Sequence, residues 1–288
     1  MTQPIVRKIV REKAAHFKKR SSPVGFIHFG SSVYSKQFFV ESDIDLMAIV
    51  TRKPKESLEV DNKILGKKIV DVATHIYSKK EFTLMTQQGH PLAIMALQFG
   101  RIIYDPTHFL QQLKQKAKPT EKTGETWLDN ALRTYSFAIM GYFSRSCVGC
   151  YLKDVHHAAR TFLRAYILQK KGILCQRDED ILSFCPRELC PHFQKIINAR
   201  KKGKLPGYEI TFWIPAQKAF KDKIAELLLS LEKIVTFTLK ELKNKKIYTL
   251  QQTAAKIKGK IHTFVLGKNY GIMVAKKRKW IELPLYKK

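Results

Sequence analysis

Two aspartates two positions apart open an apolar run at Asp43-Ile44-Asp45-Leu46, and they constrain the fold more than any other feature of the chain. The run over 45–50, closed by Thr51-Arg52-Lys53-Pro54, reads as a buried strand. Side chains alternate along a strand, so Asp43 and Asp45 point to one face. Two carboxylates on one side of an apolar strand repel each other and are costly to desolvate. A divalent cation is the natural compensation, and oxygen ligands select Mg²⁺ or Mn²⁺. Upstream, residues 24–29 form a short apolar run that stops at Gly30-Ser31-Ser32, the pattern of a strand entering a turn. Downstream, residues 68–77 are rich in β-branched side chains, with Asp71 set between Val70 and Val72.

If these strands are neighbours, the three acids converge. They could then hold two ions about 4 Å apart, which stabilises the attacking and leaving oxygens of a phosphoryl transfer. Gly30-Ser31, opening a helix expected over 32–37, offers backbone N–H groups and a hydroxyl to a triphosphate. Taken alone, Gly-Ser is an ordinary turn. It gains meaning from the acids that follow in order on the next strands.

The rest of the chain supplies the frame. An amphipathic helix is expected at the start, with Ile5, Val6, Ile9, Val10, Ala14 and Phe17 at helical spacing. Ser78-Lys79-Lys80-Glu81 is a capping box that begins a helix running to about Gln88. Helices over 93–99 and 107–118 flank a strand at 101–104, and the polar stretch 119–124 marks a domain boundary. Beyond it, 127–144, 152–171 and 217–242 carry long helical periodicity, whereas 184–207 reads as loop-rich. Short apolar runs over 261–286, split by Gly267, Gly271 and Pro284, suggest one or two hairpins. The fold class expected is α/β (α+β): a small mixed-sheet domain over 1–120, a helical bundle over 121–250 and a basic tail over 251–288.

Charge narrows the partners. The chain carries 53 Lys and Arg against 24 Asp and Glu, a net +29. Such a field attracts polyanions such as nucleic acid, nucleotides or anionic membranes. Its bland alternative is a solubility device. Residues 240–288 hold fourteen Lys or Arg and two acids, with Lys276-Lys277-Arg278-Lys279 running into Trp280. Bases beside an aromatic suit phosphate contact with base stacking, so RNA is the partner expected there. No apolar run is long enough for a bilayer and the basic N-terminus lacks a cleavage site, so a cytoplasmic location is expected. Five cysteines, an odd number, read as reduced thiols. Cys147 and Cys150 have half-site spacing for zinc, with Cys185, Cys190 and His192 able to complete it, but packing is the commoner role. On 152–171, Asp154, His156 and His157 could bring a general base to an acceptor, against the simpler reading of a helix-face histidine. His28 and His75 read as packing residues.

Gly30-Ser31 followed by Asp43-Ile44-Asp45 resembles the signature of the DNA polymerase β-like nucleotidyltransferases. The resemblance covers roughly residues 23–118, with Gly100-Arg101-Ile102-Ile103-Tyr104-Asp105 similar to the strand that closes the family's small domain. Asp43 follows Gly30 by thirteen positions, one more than the commonest spacing in small members, and the usual Arg-Gly between them is absent. The resemblance implies that Asp43 and Asp45 bind both Mg²⁺ ions and that Asp71 binds the catalytic one. It also implies that Gly30 and Ser31 hold the β- and γ-phosphates of a nucleoside triphosphate, ATP foremost. Ser42, directly before Asp43, joins that nucleotide-binding set.

The function expected is transfer of a nucleoside monophosphate to a hydroxyl. An RNA end fits the charge, while a small hydroxylated molecule or a protein hydroxyl stays open. The alternative is a retired transferase fold that binds nucleic acid or a partner. Buried unpaired acids would burden such a protein, and all three remain.

Overall fold

Alternation of side chains between two faces builds the sheet of the N-terminal unit. The computed structural model describes residues 3–34, 43–52, 54, 57–65, 68–144, 148–202, 218–242, 261–266, 269–276 and 279–286. The chain divides into two units, Met1–Thr123 and Gly124–Lys288. In the first, β1 (Pro23–Phe29), β2 (Ile44–Val50), β3 (Leu58–Leu65), β4 (Lys68–Ser78) and β5 (Arg101–Tyr104) form a mixed sheet in the order β3-β4-β2-β1-β5. The β2–β4 pair is parallel and the other pairs are antiparallel.

Register sets Ile44 opposite Val72 and Ala48 opposite Ile76, which puts these residues on one face. Helix α1 (Gln3–Ser21) covers that face. Its Val6, Ile9, Val10, Ala14 and Phe17 pack with Phe26, Ile44, Leu46 and Val72 in one buried cluster. An apolar stripe at helical spacing is what such a helix needs to sit on a sheet. The other face is covered by α2 (Lys79–Gln87) on β2 and β4, by α3 (Pro91–Phe99) on β1 and β5, and by α4 (Phe109–Lys116) on β1. The Ser78–Glu81 capping box starts α2: the Glu81 amide donates to Ser78 Oγ at 3.2 Å and the Ser78 amide to Glu81 Oε2 at 2.8 Å. Phe82, fully buried, then anchors α2 beside Tyr77, ring centroids 6.4 Å apart.

Strand β3 has no counterpart among the expectations, and its side chains show why. Glu59 and Asp61 turn toward α1 and pair with Arg20 and Lys13, while Leu58 and Val60 are exposed. The polarity is inverted relative to a half-buried strand, so hydropathy hides it. The helix expected over 32–37 is instead a single 3-10 turn, Ser31–Val33, and residues 35–42 lie outside the described ones. Gly30 enters this turn at φ 79°, and the buried Ser32 is drawn back toward β1. Both features oppose a regular helix.

The second unit is largely helical: α5 (Glu121–Ser144), α6 (Val148–Lys171), α7 (Asp178–Phe184), α8 (Cys190–Lys202) and α9 (Lys218–Glu241). α6 packs against α8 and α9 around fully buried Tyr151, Phe162 and Phe193, and Tyr135 of α5 meets Phe162 edge-on at 6.4 Å. The loop-rich reading of 184–207 is corrected by α8. Pro191 lies in its first turn, where a missing N–H costs nothing, and Phe193, Ile196 and Ile197 fill the core at helical spacing. Strands β6 (Ile261–Leu266), β7 (Asn269–Lys276) and β8 (Lys279–Tyr286) form an antiparallel meander.

One buried acid makes the stability of this unit pH-dependent. Burial raises the Glu232 carboxyl from 4.5 to about 7, partly offset by a hydrogen bond from Tyr135 Oη at 3.4 Å. The folded state therefore binds this proton more tightly than the unfolded chain. The resulting stabilisation is complete below pH 4.5 and is lost as pH rises through about 7. Chemical denaturation at the two ends of that window should show a loss on the order of 1–3 kcal/mol, and Glu232→Gln should remove the slope. An unchanged slope in the variant would assign it to other groups.

Candidate active site

The site forms where β1 ends and β2 begins. Phe29 pairs with Asp45, so the turn after β1 lies beside the first residues of β2. Gly30 occupies the left-handed region there, and a methyl group built on it would overlap the Asp45 carboxylate, with Cγ only 3.0 Å away. Glycine is therefore required twice, by its backbone angle and by the approach of the acid. Ser31 is exposed on this turn and Ser32 is buried beneath it.

The parallel β2–β4 pairing sets Asp45 opposite Ala73, two residues after Asp71. Period-two alternation then puts Asp45 and Asp71 on one face, away from α1, with Asp43 just before β2. Asp43 and Asp45 are half-buried and Asp71 is exposed. The structure brings these acids to one face of the sheet without closing them into a cage. Among the described residues, no group of three or more His, Cys, Asp or Glu side chains is gathered closely enough to hold a metal ion. Strands lie ~4.8 Å apart and like charges push their carboxylates outward, so sharing a face does not by itself bring three together. Ser42, expected among the nucleotide-binding residues, lies outside the described residues.

Four neighbours, Ser32, His28, Asn62 and His75, were not singled out from the sequence as parts of the site. Ser32 shares a buried hydrogen bond of 2.7 Å with His28 Nε2, which ties the 3-10 turn to β1. Burial, helped by the charge of Arg101, pushes His28 down to about 4, so the ring is neutral near pH 7. Asn62 of β3 pairs opposite Asp71. His75 follows two residues beyond Ala73 on the same face and meets the Phe29 ring at 5.8 Å, with burial lowering its pKa. Knowing the register would have exposed Asn62 and His75. The Ser32 contact had no sequence signal beyond its place in the turn.

Among the remaining candidates, His156 and the pair Cys185 and Cys190 have structural partners. His156 Nε2 lies 3.0 Å from Asp178 Oδ2, its ring stacks on Phe193, and Arg160 joins the same carboxylate at 3.3 Å. Burial alone would raise Asp178, yet His156, Arg160 and Arg164 hold it at about 2. This cluster fastens the start of α7 to α6. Asp154 is raised to about 6 by burial, and His157 is exposed. The Cys185 and Cys190 sulfurs lie 2.7 Å apart, and burial together with that contact pushes the Cys185 thiol up to about 12. Of the other residues weighed as zinc ligands against packing, His192 is partly exposed in α8, Cys150 falls in α6 and Cys147 lies outside the described residues. Lys276 and Lys279 pair across the β7–β8 hairpin, while Lys277 and Arg278 lie outside the described residues.

No family model matches the chain, and no curated protein matches it. Solved structures do. A nucleotidyltransferase-like protein from Exiguobacterium sibiricum 255-15 aligns with 98% of this chain and 97% of its own, at 16% identity and a TM-score of 0.33. Spectinomycin adenyltransferase AAD(9) from Enterococcus faecialis, crystallised with ATP and spectinomycin, aligns with 81% of this chain and 100% of its own, at 16% identity and a TM-score of 0.44. No helix among the described residues is long and apolar enough to cross a membrane.

Proposed function

We propose that the chain is a polymerase β-like nucleotidyltransferase that moves a nucleoside monophosphate, AMP from ATP foremost, onto a hydroxyl. The observation that carries the reading is the approach of Gly30 to the Asp45 carboxylate. That approach supports the reading, because transfer from a metal-bound triphosphate needs a close-fitting turn for phosphate beside a carboxylate for metal. The donor set is all oxygen, which suits Mg²⁺ or Mn²⁺. Mg²⁺ typically takes one or two carboxylates and completes its octahedron with phosphate oxygens and water, so a preformed cage of three acids is not needed. Asp43 and Asp45 would hold the ions, with Asp71 facing the catalytic one. The ions would supply charge stabilisation at the transferred phosphorus.

The turn would receive the β- and γ-phosphates, with Ser31 offering its hydroxyl. His28, through Ser32, would keep that turn in place. Ser42 belongs to the same set by sequence position. An RNA end is the favoured acceptor, because a net charge of +29 gives sequence-independent affinity for a phosphate backbone. The test is incubation with each of the four α-labelled nucleoside triphosphates, Mg²⁺ and cell extract, followed by separation of RNA, protein and small molecules. Label entering one fraction in a Mg²⁺-dependent way names the acceptor class. No incorporation from any nucleotide would leave the retired fold as the better account.

A further inference from the structure

The cations of α1 divide between the two edges of the sheet, and those toward β3 meet the acids of that strand. Toward β3, Lys13 pairs with Asp61 and Arg20 with Glu59 at 3.8 Å. Toward the opposite edge, Arg7 and Arg11 of α1 and Arg101 at the start of β5 line a cleft of about 270 Å³, with Val10 and Ile102 on its walls and the buried His28 beneath. Among the described residues, none of these three guanidiniums has an ion-pair or hydrogen-bond partner. Glu12 lies in an adjoining outer cleft with Pro4, Arg7, Lys8 and Arg11. Lys18, further along α1, sits over the Tyr104 ring of β5 at 3.9 Å.

Size and chemistry limit what could enter. Pockets that enclose a drug-sized ligand run to roughly 300–1,000 Å³, so this cleft suits a smaller group. Guanidinium forks match the oxygens of a phosphate, and arginine sheds its hydration more readily than lysine does. We propose that the cleft between α1 and β5 binds a phosphate group, either free or within a polynucleotide strand. Register puts His28 on the face of Leu46, so the cleft lies on the reverse side of the sheet from Asp45. It is a second anion site, independent of the nucleotidyl reading. Its floor is nevertheless joined to the Gly30–Ser31 turn, because His28 Nε2 and Ser32 Oγ are 2.7 Å apart.

The test compares two charge-matched triple variants of the full chain. One is Arg7→Gln, Arg11→Gln and Arg101→Gln. The other is Lys80→Gln, Lys116→Gln and Lys118→Gln, exposed residues elsewhere on the same unit. Affinity is measured for inorganic phosphate by calorimetry and for a short single-stranded RNA by fluorescence anisotropy. The arginine variant should lose affinity by roughly tenfold or more, and the lysine variant by less than about threefold. Loss for both probes assigns the site to free phosphate, and loss for RNA alone assigns it to a strand. Equal losses in the two variants, or no binding by the wild type, would overturn the proposal. Mg·ATP affinity should survive the arginine changes, and its collapse would also count against a separate site. Whether the wild type binds Mg·ATP at all tests the nucleotidyl reading and leaves this one standing.

Discussion

Asp45→Asn is expected to lower metal-dependent nucleotidyl transfer by more than about three orders of magnitude, roughly 4 kcal/mol of transition-state stabilisation. Asp43→Asn should follow it closely and Asp71→Asn less closely, because Asp71 is exposed and one strand removed. The loss should fall on kcat, since the ions act on charge that develops as the phosphorus–oxygen bonds exchange. The fold should stay intact, because asparagine keeps the shape while removing one of several repelling charges. Single-turnover rates at saturating Mg²⁺ are the measurement, with thermal melting as the control. An Asp45→Asn protein that turns over at the wild-type rate would remove the metal role from this strand.

Gly30→Ala is expected to destabilise the N-terminal unit through backbone angle and overlap together. At φ 79° an L-residue costs about 1–2 kcal/mol, and here the added carbon also overlaps Asp45. Gly172 provides the comparison: its φ is 69°, and nothing lies within 4 Å of an added Cβ. Gly172→Ala should therefore cost the backbone term alone, ~1 kcal/mol, while Gly30→Ala costs about twice that or more and also loses nucleotide affinity. In an Asp45→Ala background the carboxylate is gone, and the stability cost of Gly30→Ala should fall toward the Gly172 value. A double-mutant cycle by urea unfolding measures this coupling. Equal costs at both glycines would mean that the turn moves freely away from Asp45.

How much was legible in the sequence differed from element to element. The Ser78–Glu81 box placed the start of α2, because both halves of that interaction lie within one turn. The strand at Arg101–Tyr104 and the long helices α5, α6 and α9 were also legible, since each has a run or stripe of the right period. Strand β3 was not, because its acids answer to Lys13 and Arg20 on a helix, 48 and 39 positions earlier. Helix α8 was hidden by Pro191, a residue whose meaning changes with its place in a helix.

The candidate site shows the same division. Asp43, Asp45 and Gly30 could be picked out from the sequence because the chemistry of each is local: a period of two, an apolar run, a residue without Cβ. Sequence alone also determined the net charge of +29. That Gly30 touches Asp45, that Asp45 and Asp71 share a face, and that His28 holds Ser32 were decided by strand order and register. So was the cleft of Arg7, Arg11 and Arg101, residues of ordinary appearance separated by some ninety positions in the chain. Hydrophobic pattern specifies which side of a strand is buried. Only the pairing of distant strands decides which polar groups meet on the other side, because that depends on contacts the local sequence does not encode.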